Sequence, residues 1–364
     1  IDKAVIRKSA ITPKEDGRWA QTARFVMRRP LAVVVLSLVI LSVLAAPVKN
    51  IVFSQVDSRV LPANNPAAFA SKIISDRFPG QEGNPVEIVI PKGALVQPEV
   101  TKYISEVAKV DGIVRVSPPQ IFGDDLRITA VHSMPPRTLK GESLIKDIRE
   151  IKSPEGTLIG GIAADYADTQ IGIAKTMPWA LTWIAIGVLI LLFVFTGSII
   201  LPIKAVILNI LSLAATLGAI TWIFVDGHLR WLVGDFTVTG AVDTGSIILV
   251  AVVAFGLSMD YELFLLSRIK EEHDAGKSNI ESVAIGLQRS ARIITAAAGL
   301  LAIVFASFII SGVTSIKMLG FGVAFAILLD ATLVRALLVP ALMRLFGERN
   351  WWAPKSMKRF TISH

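Results

Sequence analysis

The stretch Phe255-Gly-Leu-Ser-Met-Asp260-Tyr261-Glu-Leu-Phe264 lies inside an apolar run, Ser246 to Ser267, long enough to cross a membrane. A carboxylate placed there costs about 3 kcal/mol on insertion scales. Intramembrane acids mark ion or proton pathways as a rule. This stretch therefore sets the fold class and gives the first handle on what the chain does.

The composition agrees. Of 364 residues, 53% are hydrophobic and only 18% are charged, against about 25% charged in soluble domains. The mean hydropathy is +0.61. There is no cysteine, so a disulfide framework and a thiolate metal site are both excluded. The net charge of +8 sits mostly beside the apolar spans, while Ile51 to Met177 is close to neutral. Basic loops on the inner side of a membrane explain that distribution more simply than nucleic-acid binding.

Working outward from Asp260, six segments reach the roughly 20 apolar residues of a helical span. They are Leu31–Val48, Met177–Phe195, Ile199–Val225, Ser246–Ser267, Ile293–Ile310 and Met318–Phe346. A basic leader over residues 1–30 carries Lys3, Arg7, Lys8, Lys14, Arg18, Arg24, Arg28 and Arg29. Arg268, Lys270, Lys277, Arg289 and Arg292 follow the fourth span. Arg344, Arg349, Lys355, Lys358 and Arg359 lie in or near the tail over residues 347–364. Sharing of one side by these stretches places both termini in the cytoplasm and the long loop after the first span outside. Trp351 and Trp352 suit the cytoplasmic headgroup level. A cleaved signal peptide ending at Ala45-Ala46-Pro47 is the competing reading. The long apolar run and Pro47 argue against it.

The external loop, residues 51–176, reads as a domain. Strands are expected at Val86–Ile90, Ile113–Val116, Leu126–His132 and Thr157–Ile162, and helices at Pro98–Val110 and Thr138–Lys152. The order β-α-β-β-α-β is the ferredoxin-like pattern. A helix at Pro66–Phe78 leads in, and Asp165–Lys175 leads back to the membrane. Gly160-Gly161 suits a close backbone approach at the last strand. His132 reads as structural and Asp124-Asp125 as a turn. The expected fold is a membrane α-helical bundle of six transmembrane helices with one α+β external domain. The bundle proper is the first span, residues 31–48, together with residues 177–346.

Two chemical readings are rejected. Ala275-Gly276-Lys277-Ser278 resembles the end of a phosphate-binding loop, but Glu271 stands where the first glycine belongs. Ser278-x-x-Glu281 is instead a capping box. It opens an amphipathic helix near 278–291, with Ile280, Val283, Ala284 and Leu287 on one face, expected to lie along the inner membrane surface. His132, His228 and His273 are too far apart to share a metal. The chain thus shows no metal, cofactor or nucleotide motor, and active transport would draw on an ion gradient.

Several acids need a role. Gly256 lies one turn before Asp260 on the same face, where a glycine admits a neighbouring helix. A carboxyl group buried against such a neighbour can load and release protons near neutral pH. Tyr261, about 100° further round, either donates a hydrogen bond to a partner helix or packs. Asp330 is expected to make an ion pair or cap that fixes the sixth helix, with Arg335 reaching the cytoplasmic interface. Glu262 is expected to pair with Arg268 or Lys270, and Asp235 and Asp243 to be solvated.

The run Phe255 to Arg268, with Arg292-Ile-Ile-Thr-Ala-Ala-Ala298, Leu329-Asp-Ala-Thr-Leu-Val-Arg335 and Trp351-Trp-Ala-Pro354, resembles the MMPL transporters of the resistance-nodulation-division superfamily. The likeness is to the C-terminal half, and the actinobacterial branch is the most similar. It implies proton-motive-force-driven export of lipids or other hydrophobic compounds across the plasma membrane. It also implies that Asp260 and Tyr261 form the proton relay and that the external domain is a porter domain. Family members have two such halves, whereas this chain carries one Asp-Tyr motif. A partner is therefore expected, either a second transporter half or a second copy. Ile1 is not a natural start, so a fragment or a processed half is also expected. Two further readings share the layout. One is an accessory of protein export like the SecD and SecF pair, and the other a non-transporting receptor related to sterol-sensing proteins. No nucleophile–base pair suggests an enzyme.

Overall fold

The computed structural model describes residues 17–354, 356 and 357, apart from 63 and 79. Lys3, Arg7, Lys8 and Lys14 of the leader, and Lys355, Lys358 and Arg359 of the tail, lie outside the described residues. Among the described residues, six helical segments are long and apolar enough to cross a membrane, with mean hydropathies of 1.9 to 2.8. Five of the six sequence-predicted spans fall within them, and the third begins one residue early, at Ile199.

The chain opens with α1, Arg18–Arg28, an amphipathic helix that buries Ala20, Ala23, Val26 and Met27. Pro30 then starts α2, Pro30–Ala45, the first span. Its sequence is apolar all round, yet only Val34, Ser37 and Leu41 are buried. Leu31, Leu36, Val39 and Val43 are exposed. An apolar outer face of this kind is what lipid, rather than water, tolerates. A two-residue strand, β1 (Phe53–Ser54), and helix α3 (Pro66–Arg77) follow. Asn65 caps α3 by accepting the Ala67 N–H at 2.9 Å.

The external domain then forms from β2 (Val86–Ile90), α4 (Gln97–Val107), β3 (Ile113–Val116), β4 (Gln120–Phe122), β5 (Asp125–His132), α5 (Leu139–Glu150) and β6 (Leu158–Gly160). The sheet order is β3-β5-β2-β6, all pairs antiparallel, with β4 also paired to β5. Val86, Ile88 and Ile90 alternate inward from β2 against Leu126, Ile128 and Ala130 of β5. Tyr103, Val107, Leu144, Ile145 and Ile148 from the two helices close the core. Each large side chain so buried contributes about 1.5–3 kcal/mol. Strand β4 was not anticipated. Gln120–Phe122 is exposed on both faces, so the burial pattern that signals a strand is missing. Asp124 lies in the β4–β5 turn as expected, and Asp125 Oδ1 accepts the Lys92 N–H at 2.9 Å. The last strand is shorter than its sequence suggested. Gly161, with φ of +100°, ends it where a Cβ would stand 2.4 Å from the Pro85 carbonyl oxygen.

Helix α6, Ile162–Thr196, runs unbroken for 35 residues from this domain into the membrane. The sequence reading separated a lead-in at 165–175 from the second span. The structure joins them, because nothing between them breaks a helix except Pro178, which the helix accommodates. Helix α7, Ile200–Ile220, continues as a π-helical turn, Thr221–Val225. A short helix α8 (Arg230–Val233) and strand β7 (Val242–Asp243) follow. Strand β7 pairs in parallel with β1, fastening the external domain to the bundle. Asp243 is not simply solvated, since it caps the next helix by accepting the Ser246 N–H at 2.7 Å.

Helix α9, Thr244–Asp274, and helix α10, Asn279–Ala306, are antiparallel neighbours, and α11 is Thr314–Leu329. A π-helical segment, Asp330–Leu338, and α12, Val339–Phe346, complete the sixth span. Ser278 does cap α10, but no separate surface helix exists at 278–291. The amphipathic segment and the fifth span are one helix. Its apolar face packs Val283, Ala284 and Leu287 against Ile269 of α9 and Val26 of α1 in one core cluster. Gly218 marks a close approach of α7 to α2. A Cβ there would lie 2.0 Å from the Leu44 carbonyl oxygen of α2.

Candidate functional site

Helix α9 has two unlike faces inside the membrane. Ser258, Glu262, Leu265, Leu266 and Ile269 repeat at helical spacing and are buried. Leu249, Val252, Gly256 and Asp260 repeat at the same spacing and are exposed. Asp260 is therefore on the outside of this bundle, not packed within it. Gly256 likewise seats no helix of this chain, since a Cβ there would meet nothing within 4 Å. Tyr261 is half-buried and turns the other way, its ring 5.1 Å from the Arg335 guanidinium.

Arg335 belongs to the sixth span but does not reach the cytoplasmic interface. It is 2% exposed and forms an ion pair with Asp330, itself 6% exposed. The π-helical segment makes this pairing possible. Residues five apart sit about 140° apart on an α-helix. In a π-helix, where hydrogen bonds run i→i+5, they are one turn apart. The ion pair expected for Asp330 is thus present, but inside the bundle. Arg335 Nη2 also donates to the Ser258 carbonyl oxygen of α9 at 2.6 Å and to Ser258 Oγ at 3.3 Å. Its Nε and Nη1 have no hydrogen-bond partner. A guanidinium so placed joins α9 to the sixth span and lies against Tyr261.

Glu262 departs furthest from expectation. It is 5% exposed, so it cannot pair with Arg268 or Lys270 at the surface. Arg268 pairs with Glu271 at 2.7 Å, and Lys270 pairs with Asp274. Glu262 instead shares a small cavity with Lys204 of α7, walled by Leu201, Leu208, Leu266 and Val339. Its helical phase with Ser258 and Leu266 is the sequence signal that would have found it.

The structure brings Tyr261, Asp330 and Arg335 together and leaves Asp260 and Gly256 on an open face. His132 is structural, being fully buried with Nε2 3.0 Å from the Asn84 carbonyl oxygen.

Six helices long and apolar enough to span a membrane, with ionisable groups inside the bundle and an α/β domain at one end, define a multi-pass membrane protein. Residues 135–362 match the MMPL family. The chain belongs to the MMPL family and corresponds to the C-terminal half of an RND-type transporter. It is 37% identical to a membrane protein of Streptomyces coelicolor over 351 residues, 95% of this chain and 48% of that protein. It is 33% identical to the trehalose monomycolate exporter MmpL3 of Mycobacterium tuberculosis, over 95% of this chain and 38% of the exporter. Identity to the mycolic acid-containing lipids exporter MmpL11 of Mycolicibacterium smegmatis is 32%, over 93% of this chain and 37% of that protein. The chain spans less than half the length of each of these relatives.

Proposed function

We propose that this chain is one half of a proton-motive-force-driven exporter of lipids or other hydrophobic compounds, and that Asp260 and Tyr261 carry the proton coupling. The observation behind this reading is the face of Leu249, Val252, Gly256 and Asp260, exposed in mid-span. Acids at membrane depth face protein or a water-filled path rather than lipid. Asp260 thus calls for a partner surface, supplied by a second transporter half or a second copy of the chain. Gly256, with open space around it, lets that surface approach. On the inner side, Tyr261, Arg335, Asp330, Glu262 and Lys204 continue a line of polar groups away from Asp260. The membrane potential contributes about 2.3 kcal/mol per charge per 100 mV to such a path.

The lipid substrate class is supported by the names of the MmpL3 and MmpL11 relatives. The strand order β3-β5-β2-β6, with two helices on the sheet, supports a ferredoxin-like porter domain. Basic residues support an arrangement with that domain outside and the opposite end of the bundle in the cytoplasm of a plasma-membrane protein: Arg28, Arg29, Arg268, Lys270, Lys277, Arg289, Arg292 and Arg344 flank the spans at the end away from the domain.

The test is lipid efflux from vesicles with and without a proton gradient. Asp260→Asn should abolish gradient-dependent efflux while the protein stays folded. Full activity in the Asn variant would sink the reading.

A further inference from the structure

The Asn350-Trp-Trp-Ala-Pro354 stretch has no place in the relay described so far, yet Asn350 is fully buried. Its side chain makes three hydrogen bonds. Nδ2 donates to the Met343 carbonyl oxygen at 2.8 Å and to the Gly347 carbonyl oxygen at 2.6 Å. Oδ1 accepts a hydrogen bond from Lys204 Nζ. The Asn350 carbonyl oxygen accepts from Ser198 Oγ, and Ser198 Oγ in turn accepts the Ile200 and Leu201 N–H groups at 3.1 and 3.3 Å. The Ile199 N–H reaches the Trp352 carbonyl oxygen at 3.2 Å. The tail is thereby fastened to the start of α7, one turn before Lys204.

The surroundings of the Lys204 ammonium on the tail side are all neutral. They are an amide oxygen, the Met343 sulfur at 3.5 Å and the Phe346 ring, its centroid 5.0 Å away. On the other side lies the cavity it shares with Glu262. We propose that the tail is a positioning clamp, in which Asn350 aims the Lys204 charge at Glu262 without neutralising it. An amide suits that task because it accepts a hydrogen bond from a cation and adds no charge of its own. A carboxylate at position 350 would close a local ion pair and withdraw the cation from Glu262. The role of Lys204 in coupling rests on the proton-relay reading above, whereas the clamp does not.

The experiment is trace acetylation of the whole protein in phosphatidylethanolamine and phosphatidylglycerol vesicles, read by mass spectrometry. Lys204 labelling is scored against the exposed Lys146. Removing one hydrogen bond to a charged group predicts that Asn350→Ala raises Lys204 labelling by about tenfold or more. Asn350→Asp closes an ion pair with the ammonium and should bring labelling below that of the parent. Ser198→Ala, which removes the donor to the Asn350 carbonyl and the acceptor of the Ile200 and Leu201 N–H groups but leaves the Asn350–Lys204 bond, should give a smaller rise and serves if the Ala variant does not fold. Unchanged labelling in the Ala variant, or an Asp variant as reactive as the Ala variant, would overturn the clamp. In the same vesicles, Asn350→Asp should slow proton uptake, and an unchanged rate would overturn its link to Glu262. Asp260→Asn separates the two ideas. Persistent uptake in that variant removes the relay reading and leaves the labelling result to decide the clamp.

Discussion

Replacing Arg335 by methionine leaves Asp330 buried without its cation. Asp330 is 6% exposed and Arg335 2%, so water reaches neither partner readily. Breaking a buried pair by removing one member costs about 3–5 kcal/mol. The lost hydrogen bond to the Ser258 carbonyl oxygen, worth about 1.5–3 kcal/mol in isolation, and the contact with the Tyr261 ring overlap with that figure. We therefore expect about 3–5 kcal/mol for Arg335→Met and for Asp330→Leu alone. The double variant replaces both charges by apolar groups of similar size, which is often neutral or stabilising. Equilibrium unfolding in mixed micelles of the parent, both single variants and the double variant closes the cycle. A coupling energy near the ~0.6 kcal/mol average for interhelical hydrogen bonds in membrane proteins would refute the reasoning. So would a double variant as unstable as the singles. The double variant should fold yet fail to couple, because the polar line beyond Tyr261 is cut.

Further outcomes follow from the same geometry. Gly218→Ala puts a methyl group where the Leu44 carbonyl oxygen stands. It should destabilise the bundle by about 1–3 kcal/mol, as overpacking does, read as a lower melting temperature in detergent. Gly161→Val combines a φ of +100° with a clash at Pro85 and should loosen β6, seen as faster hydrogen exchange over Leu158–Gly160. Burial holds the His132 ring below its ordinary value of 6.5, so the folded domain favours the neutral ring. The stability it contributes is present above about pH 6.5 and is lost as pH falls through the lower folded value. His132→Gln should flatten that slope in hydrogen exchange of β5. Because the chain has no cysteine, Val252→Cys introduces a single thiol on the Asp260 face. If a second copy covers that face, mild oxidation should give a disulfide-linked dimer on non-reducing gels, whereas Leu36→Cys on α2 should not.

The spans were legible because hydropathy is summed over some twenty residues and survives local exceptions. Their ends were not. Helices α6, α9 and α10 continue through polar residues such as Asp165, Glu272 and Glu281, where the apolar signal stops but the backbone has no reason to. The strands of the external domain were legible from inward alternation, as in Val86, Ile88 and Ile90, and β4 was missed because it lacks any. In the site, Asp260 stood out as a charge in an apolar run. For Glu262 the sequence offers Arg268 and Lys270 as partners about two turns on, although its phase with Ser258 and Leu266 points inward. The inward turn of Arg335 depends on a π-helical segment, and no residue pattern in Asp330–Leu338 announces one.

Helix α6 acts as a lever. At 35 residues and 1.5 Å per residue it is about 52 Å long. Its outer end is gripped by the external domain: Arg149 holds Asp168 with two bonds, at 2.6 and 2.9 Å, and the Tyr166 hydroxyl donates to the Phe53 carbonyl oxygen at 3.0 Å. A tilt of about 5° at that grip would move the far end by about 4–5 Å, close to one helical turn. Pro178, which removes one backbone hydrogen bond, is the joint where such a tilt can be absorbed or passed on. Stiffening or loosening that joint changes how much of a movement outside reaches the turn at Ser198, beside Lys204.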